Sequence, residues 1–245
     1  MSNRAVSAVL GVLRRLRSTQ GLGQDHAVLQ YLQQWAGDHS ESVVLRLALG
    51  VIEEVEDAQI AIAASSLSEE AKEGLNGTLS GLRSAFALSG MNNSIKSFMP
   101  ALGPAITNFA IIASMIDAET SPEVATEIEN LSKEIDELLK AVRDSSLEPT
   151  LRDAAVRHLG ILLALLRNAD AVGVEPALAA YFELLWQMRK LKESAEKQTG
   201  DGVGVWERIS SWGERLGKIA DLVDAGSKLV PYIEKVPDLL KYLPN

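Results

Sequence analysis

The chain lacks cysteine altogether, and among its 245 residues it also has few aromatic side chains and fewer bases than acids. The lack of cysteine excludes disulfides, thiolate metal sites and cysteine nucleophiles. An aromatic content of 5% beside an apolar content of 47% favours helices over strands and argues against disorder. The formal charge of −9 disfavours nucleic acid as a partner, because affinity for the phosphate backbone comes largely from Lys and Arg.

Signals for secretion, metal binding and phosphate binding are missing as well. The amino terminus lacks the pattern of a signal peptide. With no cysteine in the chain, we expect a cytoplasmic protein, bacterial in the simplest case, either free or peripheral to a membrane. The three histidines, His26, His39 and His158, do not pair at metal-ligand spacing, so we expect no metal and no cofactor. The glycine-rich segment 199–205 lacks the lysine and hydroxyl of a phosphate loop and is interpreted as a linker.

Long uncharged runs are rare, and a single one stands out between Lys96 and Asp117. This run, residues 97–116, is about as long as a membrane-spanning helix. Pro100 and Pro104 oppose insertion into a membrane, whereas a helix buried in protein tolerates a proline in its first turn. The segment therefore predicts a helix that is buried in a bundle, docked on a partner or inserted conditionally into a membrane. Its candidate contact residues are Phe98, Leu102, Ile106, Phe109, Ile112 and Ile116.

The helix before this run has a small-residue face. Gly77 and Gly81 form a GxxxG pattern, and each glycine costs a helix about 1 kcal/mol relative to alanine. Close approach of another helix at both glycines would explain that cost. Together with the uncharged run, this helix predicts an apolar hairpin over residues 74–116.

Two further helices are candidates for contact with a partner. Residues 1–24 form a basic amphipathic arm, which can fold back on the acidic body, lie on an anionic membrane or act as an organellar transit peptide; its bases are Arg4, Arg14, Arg15 and Arg17. A later helix, opened by Pro122, repeats apolar residues in alternating steps of four and three, as in a coiled-coil seam. This seam serves either as one side of an antiparallel bundle or as a partner surface, and it consists of Val124, Ile128, Leu131, Ile135, Leu138 and Val142.

One short pattern resembles the signature of an all-helical enzyme family. Arg152 and His158, separated by five residues, are similar to the arginine and histidine of HEPN ribonucleases. The resemblance covers seven residues. It implies RNA cleavage across a dimer interface, with Arg152 and His158 as the catalytic pair.

These observations predict an all-α fold, a multi-helix bundle with a buried apolar central helix or hairpin. We expect a bundle over residues 1–198, a linker over 199–205, and a proline-punctuated helical segment over 206–245 that docks on the bundle. The leading functional hypothesis is a non-enzymatic protein that acts by helix-mediated association, with itself or with another protein. The alternatives are a membrane-acting protein that releases its hairpin, similar in organisation to helical pore-forming toxins, and a HEPN-like ribonuclease.

Overall fold

The structure, a computed structural model, describes residues 4–37, 41–116, 122–195 and 201–222. Within these ranges the backbone forms eleven helices and no strand, which confirms the predicted all-α fold. The helices are α1 (Ala5–Ser18), α2 (Val28–Ala36), α3 (Glu41–Ala64), α4 (Glu69–Phe86), α5 (Ile95–Phe98), α6 (Leu102–Ile116), α7 (Pro122–Arg143), α8 (Pro149–Arg167), α9 (Ala169–Val172), α10 (Glu175–Ala195) and α11 (Asp201–Leu222).

The helices divide into two compact units rather than the single bundle expected through residue 198. Unit 1 contains α1 to α6 together with α9, and unit 2 contains α7, α8, α10 and α11. The chain therefore leaves unit 2 after α8, adds α9 to unit 1, and returns to unit 2 with α10.

Unit 1 is built around α1, the helix predicted as a basic arm. The apolar residues Val6, Val9 and Leu13 of α1 are fully buried, and α1 packs on α3, α6 and α9. The arm is thus folded back on the body in this structure, although Met1–Asn3 lie outside the described residues. Because α4 in turn packs on α3 and, more lightly, on α6, the helices α1, α3, α4 and α6 close a ring.

Helical periodicity in the sequence identifies the buried side of each long helix in this ring. In α3 the apolar stripe from Val44 to Ile62 is buried, and in α4 the stripe from Leu75 to Phe86 is buried. Each helix of the ring contributes large side chains that water does not reach, so the apolar stripes form the core as the 3.6-residue repeat requires. One such residue comes from each helix: Leu13 from α1, Leu47 from α3, Leu79 from α4 and Phe109 from α6.

Unit 2 is also a ring of four helices in chain order. α7 packs on α8, α8 on α10, α10 on α11, and α11 returns to α7. The run 159–166 of α8 is buried on every side, as its continuous apolar sequence predicts.

The predicted linker at 199–205 is helical from Asp201 onward, because α11 begins there. Glycine disfavours a helix by about 1 kcal/mol per residue, but tertiary packing of an apolar face overrides that propensity. In α11 this face includes Ile209, Trp212 and Leu216, each almost fully buried. Residues 199–200 and the part of the predicted 206–245 segment beyond residue 222 lie outside the described residues.

A cluster of charged and polar side chains fastens α11 to α7. Arg215 Nη1 donates to Glu134 Oε1 and Oε2 at 2.8 and 2.7 Å, and Arg215 Nε donates to Glu127. Trp212 Nε1 donates to Glu134 Oε2 at 3.2 Å. The hydrogen bond to Glu127 raises the pKa of the Arg215 guanidinium, so this residue keeps its charge.

A buried phenol holds the other side of α11. Tyr181 of α10 is almost fully buried, and its hydroxyl donates to the carbonyl oxygens of Ile209 and Ser210 at 3.1 and 3.4 Å. Burial raises the pKa of Tyr181, which keeps the phenol protonated and able to donate. A side chain at Gly213 would meet this hydroxyl, since an added Cβ would lie 2.8 Å from it.

Arg215→Ala should lower the free energy of unfolding by about 1–3 kcal/mol, because it removes charge-assisted hydrogen bonds and leaves two neighbouring carboxylates without their shared cation. Urea unfolding followed by circular dichroism measures the change. Arg208→Ala is the matched control on the exposed side of α11, and we expect a change within about 0.5 kcal/mol. Equal losses for the two variants would show that the cluster contributes nothing.

Candidate functional site

The segment that leads into α6 is held by backbone hydrogen bonds to the first turn of α2 and to the residues just before it. Leu29 N donates to the carbonyl of Met91 at 2.8 Å, and Ile95 N donates to the carbonyl of His26 at 3.2 Å. The short helix α5 follows. After it the chain turns through residues 99–101 and α6 begins at Leu102. This arrangement fixes the start of the predicted uncharged run on the body of unit 1.

One side of α6 faces the core of unit 1. Its buried positions recur in steps of three and four, and the helix packs most extensively on α1. Among the six predicted contact residues, Leu102 and Phe109 are buried on this side. The other four are half-buried: Phe98, Ile106, Ile112 and Ile116.

The opposite side of α6 is exposed and carries no charge. We call this surface the α6 outer face; it consists of Pro104, Thr107, Asn108, Ile111, Ser114 and Met115. Its two large apolar side chains, Ile111 and Met115, are 55% and 66% exposed. Neither was among the predicted contact residues. Each residue of a helix is rotated by about 100° from the one before. The positions of Ile111 and Met115 relative to Phe109 could therefore have placed both residues on the side of α6 away from the core.

The two hydroxyls on the α6 outer face already have acceptors within the helix. Ser114 Oγ donates to the carbonyl of Ile111 at 2.7 Å, and Thr107 Oγ1 donates to the carbonyl of Gly103 at 3.4 Å. Covering these groups therefore leaves their donors satisfied, which lowers the cost of removing water from the surface.

Two other long helices, α4 and α7, have ordinary solvent-facing sides. The exposed positions of α4 include Glu69, Glu73 and Arg83, and those of α7 include Glu129 and Lys133. A surface helix typically carries charge on the side away from the core. The α6 outer face departs from this pattern, and depletion of charge is typical of the centre of a protein interface.

Exposed apolar side chains on α3 lie among acids instead. Leu45 and Leu49 are 43% and 58% exposed, and Glu41 and Glu53 are exposed on the same helix. This surface therefore resembles an ordinary solvated side with scattered apolar residues.

The two glycines of the GxxxG pattern have different surroundings. An added Cβ at Gly81 would lie 2.8 Å from the carbonyl oxygen of Phe98, so the chain at the end of α5 does approach closely there. At Gly77 an added Cβ would meet nothing within 4 Å, and Gly77 is exposed. Among the described residues, the close approach predicted at both positions is therefore found at Gly81 and not at Gly77.

The predicted coiled-coil seam of α7 supplies core rather than surface. Val124, Leu131, Ile135, Leu138 and Val142 are buried, and Ile128 is half-buried. Because α7 packs on α8 and α11, the seam serves as one side of the helix ring in unit 2. A partner surface along the seam stays a prediction that would require unit 2 to open.

The bases of α1 are likewise only partly available. Arg15 pairs with Asp170 inside unit 1, and Arg4 is half-buried. Arg14 and Arg17 are exposed. Contact of this basic set with an anionic membrane stays a prediction, and it would rest on Arg14 and Arg17.

The two residues that resemble a HEPN pair both lie on α8 and are half-buried. Six residues of helix separate their directions by about 120°, so Arg152 and His158 do not share one side of the helix. Arg152 Nε lies 4.0 Å from Asp153 Oδ1. The ribonuclease hypothesis stays a prediction without geometric support within the chain.

Neither a metal site nor a membrane span is found in the described part of the chain. No cluster of three or more His, Asp or Glu side chains there could hold a metal ion. No helix there has both the length and the apolar character needed to cross a membrane.

Comparisons of the chain with protein-family models, with curated proteins and with solved structures gave no match. The candidate site therefore rests on the residues and the geometry of the α6 outer face.

We expect Gly77→Ala to raise the free energy of unfolding by up to about 1 kcal/mol, because alanine favours a helix and meets no neighbour there. Gly81→Ala should lower it by about 1–3 kcal/mol, because the new Cβ crowds the carbonyl of Phe98. Thermal and urea unfolding of the two variants test this difference. Destabilisation by Gly77→Ala would instead indicate a neighbour that packs on the exposed glycine.

Proposed function

We propose that this protein is a non-enzymatic association module whose contact surface is the α6 outer face and whose partner is a second copy of the same chain. The observation that carries the proposal is an exposed helix side that includes Ile111 and Met115, in a run of twenty residues that has no charge. Helix-mediated association was the leading hypothesis from the sequence.

Charge favours a second copy as the occupant. Two copies of a chain with a formal charge of −9 repel each other wherever their acidic surfaces meet. In a two-fold interface the same patch occurs on both sides, so a charge within it tends to face a like charge. An uncharged patch avoids this repulsion and is the surface on which two acidic bodies can approach most closely.

The size of the patch supports weak, reversible association. From Pro104 to Met115 the helix rises about 17 Å, and a helix with side chains is about 10–12 Å wide. This area is smaller than the roughly 800 Å² per partner of a standard interface. We therefore expect a dissociation constant in the micromolar range or above, and a dimer that depends on protein concentration.

The membrane-acting alternative has less support from the described residues. α6 has 15 residues, which span about 22 Å as a helix, whereas a membrane core is about 30 Å thick. The other arm of the predicted hairpin, α4, presents Glu69, Glu73 and Arg83 to solvent. The proposal of self-association needs neither a span nor an inserted charge.

Ile111→Glu should weaken self-association at least about tenfold, because it places a carboxylate on each side of a two-fold interface. Sedimentation equilibrium over a range of protein concentrations measures the effect. Leu49→Glu is the matched control, since Leu49 is exposed to nearly the same degree (58% against 55%) but lies outside the α6 outer face. Both variants should unfold at the wild-type temperature within a few degrees.

Salt and cross-linking provide two independent readings of the same contact. Raising the ionic strength should strengthen wild-type self-association, because salt screens the repulsion between acidic bodies while the contact itself is uncharged.

Because the chain has no cysteine, Ser114→Cys gives one defined thiol, which a short bismaleimide should link into dimers much faster than the thiol of Leu49→Cys.

Three results would overturn this proposal. One is a wild-type protein that stays monomeric at every concentration and salt level. The second is equal weakening of association by Ile111→Glu and Leu49→Glu. The third is flotation of the wild-type protein with anionic liposomes and release of their contents, lost in Ile111→Glu, which would assign the α6 outer face to a membrane.

A further inference from the structure

Residues 168–173 form a short strap that belongs to unit 1, although the helices on either side of it belong to unit 2. The strap contains α9, and its residues Ala171 and Val172 are buried. Gly173 ends it with a φ of +71°, a left-handed conformation that glycine adopts without strain. The core of unit 1 is thus completed by a segment that continues directly into α8 and α10.

The strap sits on α1 at a position that requires glycine. A Cβ added at Gly11 would lie 2.2 Å from the carbonyl oxygen of Asp170, a distance that real side chains do not adopt. One turn later on α1, the Arg15 side chain donates hydrogen bonds to the carboxylate of the same residue. Its Nε lies 3.0 Å from both carboxylate oxygens of Asp170, and its Nη2 lies 2.6 Å from Oδ1. The backbone and the side chain of Asp170 are therefore both held by α1.

A buried amide ties the strap to α2 as well. Asn168 is 1% exposed; its Nδ2 donates to the carbonyl of Trp35 at 3.1 Å and its Oδ1 accepts from Arg15 Nη1 at 2.9 Å. Trp35 Nε1 in turn donates to Thr19 Oγ1 at 3.0 Å, and that hydroxyl donates to the carbonyl of Arg15 at 2.6 Å. These bonds connect the carboxyl ends of α1 and α2 through the strap.

The strap is positioned by the shape of its contacts with α1 and α3 more than by its ion pair. Arg15 and Asp170 are 28% and 57% exposed at their side chains, and ion pairs with this exposure contribute little net stability. α9 itself has four residues, a single turn of helix. A single turn of helix can open locally while the rest of a protein stays folded.

We propose that the strap controls the α6 outer face by holding α1, the helix on which α6 packs most extensively. With the strap seated, α1 is fixed and α6 presents an ordered surface. With the strap released, α1 and α6 loosen together and the surface loses its shape. Because the strap continues into α8 and α10, a change in those helices that withdraws it acts on α6 through α1. The effect on association rests on the proposed function, whereas the effect on α6 itself does not.

Hydrogen exchange of the full chain, read by mass spectrometry, tests this coupling. Gly11→Ala and Asn168→Ala should both speed exchange in α9, α1 and α6 and leave α7 and α11 at wild-type rates. Gly77→Ala is the matched control, since it adds the same methyl group in open space and should not speed exchange in any of these helices. Asn168→Ala adds no bulk and removes the hydrogen bonds of the buried amide to Trp35 and Arg15, so it keeps the test decisive if Gly11→Ala fails to fold.

Sedimentation equilibrium of the same variants tests the effect of the strap on self-association. We expect Gly11→Ala and Asn168→Ala to weaken self-association about fivefold or more, as allosteric couplings typically do. Fast exchange in α9 with wild-type protection in α1 and α6 would overturn the coupling. A wild-type protein that never associates would overturn the proposed function alone, because the exchange rates of α6 would still decide whether the strap controls it.

Discussion

Unit 1 depends on the packing of α1, which must satisfy three neighbours at once. Val6, Val9 and Leu13 are fully buried, Gly11 leaves room for the strap, and Arg15 closes over it. A helix covered on three sides has little freedom to shift, because protein interiors are close-packed and transmit displacement to their neighbours. The position of α6, and with it the exposed uncharged surface, follows from the position of α1.

Much of this architecture is readable from the sequence, because each long helix has a clean 3.6-residue repeat. The buried stripes of α3 and α4, and the continuously apolar run of α8, follow from periodicity and hydropathy alone. The uncharged run 97–116 is equally visible, since the absence of charge needs no structural knowledge. What periodicity gives is the buried side of a helix, and it does not say which helix will cover that side.

The division into two units and the strap could not be predicted in this way. Arg15 and Asp170 are 155 residues apart, and nothing in the local sequence of either residue points to the other. The small size of Gly11 acquires meaning only when Asp170 lies beside it. For α6 the residues selected from the sequence are mainly inward and half-buried ones, because apolarity was weighed without the position of each residue around the helix. Thr107 and Asn108 look like interruptions in the sequence, whereas in the structure they belong to the outer face itself.

The place of the strap in the chain has a consequence for the order in which the protein becomes complete. During synthesis the amino-terminal helices emerge first and fold as units where they can. Helices α1 to α6 are finished by residue 116, yet the seat on Gly11 and Arg15 stays empty until residues 168–173 have left the ribosome, after α7 and α8. Unit 1 is therefore completed only after part of unit 2 has been synthesised. A nascent chain that stops before residue 168 has an α1 that lacks one of its neighbours, the strap.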